Sequence, residues 1–145
     1  MSACRRFVAA ALAAFVLLTP SLIAQAPGAA PPAATMSAAQ IKQEVEKIKK
    51  GRTLLLVPAV GTDDPGGQTT LRLDNASPFD LVIFLVGPST QRIELGPNRM
   101  QTLTVEPGDY DVVLTVVGRN LPPFYGKDTI TGKMQFRHQF VIPAV

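Results

Sequence analysis

Cysteine, histidine and tryptophan are nearly missing from this chain, which has one Cys, one His and no Trp in 145 residues. The single cysteine, Cys4, precedes an N-terminal apolar run of the kind removed on export. The exported protein is therefore expected to have no disulfide, no thiol nucleophile and no thiolate metal site. With His138 as the only imidazole, a zinc or copper site would have to rest on carboxylates alone. Hydrolytic systems need a nucleophile, a base and an orienting group, and no such set is apparent. Asp63 and Asp64 stand beside glycines but lack the alternating oxygen ligands and distal Glu of a calcium loop. No glycine-rich loop precedes a helix to cradle phosphate. The reading is a non-enzyme with no catalytic residues, no cofactor and no metal. Aromatic residues are also scarce, so a sugar platform could draw only on Tyr110 or Tyr125.

Charge is sparse, at 17% of residues. The N-terminus joins Arg5-Arg6 to an apolar run, Phe7 to Leu18, followed by Thr19-Pro20 and small residues. These are the parts of a secretory signal peptide, expected over 1–24 with cleavage after Ala24. An uncleaved signal anchor is the alternative, although the run falls short of the roughly 20 residues that span a bilayer. Loss of Arg5 and Arg6 lowers the formal net charge from +3 to +1. No nucleic-acid partner is expected at that charge, nor membrane contact once the leader is gone. The expected location is exported, periplasmic or extracellular.

Residues 25–36 read as a Pro/Ala-rich linker. Residues 37–52 read as an amphipathic helix. Ser37 and Gln40 form a capping-box pattern, and Ile41, Val45 and Ile48 fall at i, i+4 and i+7. Glu46 and Lys50 suit an i, i+4 pair, and Gly51 suits the C-terminus. Three apolar positions are too few for the helix to stand alone. The stripe is expected to pack on the following domain, or else to dock on a partner or an anionic membrane surface.

Residues 53–145 read as an antiparallel β-sandwich of six to seven strands, because short apolar runs alternate with turn clusters every 8–12 residues. Thr53 to Val60 is a short apolar run in which Pro58 marks an edge strand or one that ends near it. Phe79 to Val86 is apolar on both faces, as expected of a central strand covered on both sides, with the helix stripe as one cover. Met134 to Ile142 alternates cleanly and places His138 in the inward row, packed among phenylalanines with one nitrogen hydrogen-bonded. Gln101 to Val117 reads as a β-hairpin about Pro107-Gly108. Arg119 to Gly126 reads as a proline-stiffened loop carrying Phe124 and Tyr125.

Val105-Glu106-Pro107-Gly108-Asp109-Tyr110-Asp111-Val112 resembles the V-x-P-G-x-Y-x-V element of PEGA-type and other prealbumin-like or immunoglobulin-like bacterial domains. Arg92 to Pro97 and Leu71 to Asn75 are similar as well. The resemblance covers about residues 69–142 in one copy. It implies an accessory module of exported and envelope proteins and supplies no catalytic residues. It also makes Tyr110 a packing and hydrogen-bonding residue at a corner. The functional expectation is a non-catalytic module that binds another envelope protein through Pro122, Pro123, Phe124 and Tyr125, the strand edges, or the stripe of Ile41, Val45 and Ile48. A glycan-binding module using Phe124-Tyr125, or a carrier of an apolar ligand between helix and sandwich, are the alternatives.

Overall fold

The computed structural model describes residues 35–143. The leader expected over 1–24 and most of the linker at 25–36 lie outside the described residues. Helix α1 (Ala38–Lys49) begins where the sequence places it. The Ser37 hydroxyl accepts from the Gln40 N–H, and the Ser37 N–H donates to Gln40 Oε1 at 2.8 Å. This reciprocal cap satisfies two helix-end donors and is worth about 1 kcal/mol. The basic partner of Glu46 is shifted from expectation: Lys49, not Lys50, reaches it at 2.7 Å.

Nine strands follow among the described residues: β1 (Leu54–Leu55), β2 (Val60–Asp63), β3 (Thr70–Asn75), β4 (Leu81–Val86), β5 (Thr90–Leu95), β6 (Met100–Thr104), β7 (Gly108–Val116), β8 (Phe124–Ile130) and β9 (Met134–Phe140). One sheet has the order β1-β8-β7-β4-β5 and the other β2-β9-β3-β6. Their inner faces share one core. Leu81, Ile83, Leu85, Tyr110, Val112 and Leu114 from the first sheet are buried with Leu71, Leu73, Phe136 and Phe140 from the second. The arrangement is mainly β and sandwich-like, but its sheets are mixed, not antiparallel, since β1 pairs with β8 and β3 with β9 in parallel. Alternation decides which face a side chain takes and carries no information about strand direction, so the parallel ladders left no mark in the pattern.

The expected hairpin about Pro107 is a corner between sheets. β6 pairs with β3, whereas β7 pairs with β4 and β8. Pro and Gly specify a bend, and the strands on either side of a bend can join the same sheet or different ones. Gly108 is needed there: it adopts φ 148°, and a Cβ would meet Pro88 Cγ at 2.6 Å. Beside it, the Tyr110 hydroxyl donates to the Glu106 carbonyl at 2.8 Å and lies 2.9 Å from Ser89 Oγ. A buried tyrosine near a strand start, bonded to backbone a few residues upstream, is a recurrent lock for sandwich corners.

The double-sided character of β4 is fully used. Leu81, Ile83 and Leu85 face the core, while Phe84 is buried on the other side with Val113, Ile41 and Val45. The helix stripe thus covers the outer face of the first sheet. Two such buried aliphatic side chains contribute on the order of 3–5 kcal/mol together. Met36, Ile48, Val82, Val86 and Tyr125 pack around this cluster as partly buried neighbours.

Candidate functional site

The candidate partner residues divide into those already engaged within the chain and those at its surface. Ile41 and Val45 are buried against Phe84 and Val113, and Ile48 is half-buried at the rim of the same cluster. That stripe is consumed by the chain itself. Pro122, Pro123, Phe124 and Tyr125 are each half-buried. Phe124 and Tyr125 are not in a loop. They open β8, opposite Leu114 and Val113 of β7 and beside Leu54 and Leu55 of β1. The two prolines end where the aromatic pair begins, and aromatic residues favour strands, which is the signal that the loop reading passed over. Phe124 packs on the main core. The Pro123 carbonyl accepts from the Leu54 N–H at 2.8 Å.

Tyr125 points to the helix side. Its hydroxyl donates to Asp111 Oδ1 at 2.7 Å, and the Lys49 ammonium donates to Asp111 Oδ2 at 3.1 Å while lying 5.7 Å from the Tyr125 ring centre. Hydrogen bonds to Glu46 and Asp111 push the Lys49 ammonium above its ordinary range. Burial would raise the Asp111 carboxyl, but the bonds from Tyr125 and Lys49 overcome it and hold the group below its ordinary value. Burial, then the Asp111 carboxylate, push the Tyr125 phenol up. This polar clamp fastens the C-terminal end of α1 to the first sheet. Tyr125 is therefore a strut of this clamp, its hydroxyl engaged by Asp111.

The connection from β1 to β2 is built differently. β1 is an edge of the first sheet and β2 an edge of the second, and only residues 56–59 separate them. The chain steps from one sheet to the other at Pro58, consistent with a residue that cannot donate to a ladder. Leu56 continues the contact with β8 through its N–H to the Tyr125 carbonyl at 2.9 Å. Gly126 permits this approach, since a Cβ there would meet the Leu56 carbonyl oxygen at 2.8 Å. The next anchor is Asp128, whose Oδ1 accepts from the Ala59 N–H at 3.0 Å and whose Oδ2 lies 2.5 Å from His138 Nε2. Both side chains are buried, and the imidazole stacks on Phe140 with ring centres 5.4 Å apart. His138 is thus inward and hydrogen-bonded, as its place in β9 indicated. Its partner Asp128 carries no such signal, because a lone carboxylate in a short run of mixed residues gives no sign of facing the core.

The crossover leaves apolar side chains in water. Leu55, Val57 and Val60 are 85%, 72% and 68% exposed, and Val141 just after β9 is 69% exposed. Leu55, Val57 and Val141 border one cleft of about 150 Å3, and Val57 and Val60 border another of about 570 Å3. Val57, His138 and Gln139 are common to both, so the apolar surface is continuous across the step. Among the described residues β1 and β2 are edge strands beside it, a combination that natural proteins usually bury or blunt with charge.

Among the described residues no helix is long and apolar enough to cross a membrane. No family model, no curated protein and no solved structure matches the chain.

Proposed function

We propose that this chain is an exported, non-catalytic module that binds another protein in a bacterial cell envelope, and that the β1–β2 crossover is the contact surface. The two-sheet arrangement with its tyrosine corner is read as a prealbumin-like or immunoglobulin-like sandwich of the PEGA type. The observation that carries the proposal is the exposure of Leu55 and Val60 on the edge strands β1 and β2, of Val57 between them, and of Val141, which borders one cleft with Leu55 and Val57. Isolated exposed aliphatics are ordinary, but a contiguous group on a sheet edge is a typical protein-contact surface. The helix stripe and Tyr125 are occupied internally, which moves the contact away from them.

A photo-reactive residue at Val57 in the native envelope tests this directly. The reading expects a discrete cross-linked species from position 57 and none from position 102 on the opposite edge strand β6. Equal labelling at both positions, or none at position 57, would reject the crossover as the contact surface.

A further inference from the structure

Among the described residues, the larger cleft at the crossover is bordered by a guanidinium that no ion pair engages. Arg72 of β3 and Arg137 of β9 are register partners and border the same cleft on the outer face of the second sheet. Asp74, two residues along β3, is already taken: its Oδ2 accepts from Arg137 Nη2 at 2.6 Å. Among the described residues Arg72 has no ion-pair partner, and its Nε is shielded from water without any hydrogen-bond acceptor. A guanidinium presents a planar fork matched to a carboxylate, and a shielded N–H without an acceptor is unfavourable until the group is compensated. The same cleft has an aliphatic part, made by Val57, Pro58 and Val60, beside the polar Thr62, Gln135 and Gln139. The volume, about 570 Å3, lies in the range of small-molecule sites.

We propose that this cleft binds an aliphatic carboxylate, with the carboxylate on Arg72 and the hydrocarbon against Val57, Pro58 and Val60. Charge complementarity selects an anion, and the apolar wall selects one with a hydrocarbon flank over inorganic phosphate. Such a group can come from a fatty acid or from the C-terminus of a polypeptide ending in an aliphatic residue. This inference goes beyond protein contact at the crossover, because its anchor, Arg72, lies on β3, outside the exposed patch.

The test is a titration of the purified full chain, followed by backbone amide shifts, with decanoate and with N-acetyl-Val-Leu-Val as probes. Decanol and inorganic phosphate serve as controls for the two halves of the site. Saturable shifts centred on Val60, Arg72 and Arg137 are expected with at least one carboxylate probe. Arg72→Ala should weaken that binding about 10-fold or more, as loss of a charge-assisted hydrogen bond implies. Arg72→Lys should fall between, because it keeps the charge and loses the fork. Preference for decanoate identifies a lipid-derived ligand, and preference for the peptide a polypeptide terminus. Either preference supports the site. The proposal is overturned if neither probe saturates, if Arg72→Ala binds as the unmodified chain does, or if decanol or phosphate binds as tightly as the carboxylates. Arg72 faces solvent on one side, and an unchanged melting curve of each variant confirms that lost binding is not lost folding.

Discussion

Replacing Asp128 by Ala removes a side chain that joins three parts of the fold. The carboxyl holds the Ala59 N–H of the crossover with one oxygen and His138 of β9 with the other, while belonging itself to β8. Truncation leaves a buried imidazole and a backbone donor without partners. Removing one member of a buried pair costs about 3–5 kcal/mol. Replacing both partners with apolar groups of similar volume, Asp128→Leu with His138→Phe, removes the unmatched polar groups together. Only the Ala59 N–H then remains orphaned, at about 1–3 kcal/mol. The double variant should therefore be more stable than Asp128→Ala alone. Urea unfolding of the single and double variants, extrapolated linearly to water, measures this coupling. In hydrogen exchange, the Ala59 amide should lose protection in both variants. A cost below about 1 kcal/mol for Asp128→Ala, or simple additivity of the single substitutions, would refute a buried pair that clamps the crossover.

Further outcomes follow from the same contacts. Val45→Ala in the helix stripe should cost about 1–3 kcal/mol and expose the α1 amides to exchange, without altering amides of the second sheet. Tyr110→Phe should cost about 1–2 kcal/mol in thermal or urea unfolding, because the Glu106 carbonyl loses its donor at the corner. Asn75→Ala should be more damaging, about 2–4 kcal/mol: its buried amide donates to the Phe79, Leu95 and Gly96 carbonyls and its oxygen accepts from Ser77. The Asp111 clamp should weaken in acid. Its carboxyl is held below the ordinary value in the folded chain, so its contribution is present above about pH 4 and fades as pH falls through the folded value. The effect is limited to about 1 kcal/mol by solvent screening, and Asp111→Asn should abolish the acid-dependent loss of α1 protection in hydrogen exchange.

The legible parts of the fold are those written in periodicity and local chemistry. Ser37 and Gln40 announced the helix start, Ile41 and Val45 its buried face, and the two-sided β4 the surface it covers. His138 took its inward place because β9 alternates without a break. What was not legible is pairing over distance. Neither the parallel ladder of β3 with β9 nor the assignment of β6 and β7 to different sheets leaves a trace in side-chain alternation. Thr53 to Val60 read as a single edge run, and its division between two sheets depends on Asp128, which lies far along the chain. The burial of Asn75 depends on the carbonyls of Leu95 and Gly96, which lie far along the chain. The open cleft was equally hidden, since Arg72 looks like any outward strand residue until Asp74 is seen to serve Arg137.

The claim that most needs testing is that the β1–β2 crossover, and not the helix, meets the partner. Sedimentation of the protein released intact from its native envelope, comparing the unmodified chain with Leu55→Asp/Val57→Asp, addresses it most directly. Both side chains are exposed, so the double variant should keep its melting temperature and move from a larger assembly to the position of the free chain. If the double variant stays in the larger assembly, while Lys42→Glu on the exposed side of α1 is released from it, the contact surface lies on the helix and the account is contradicted.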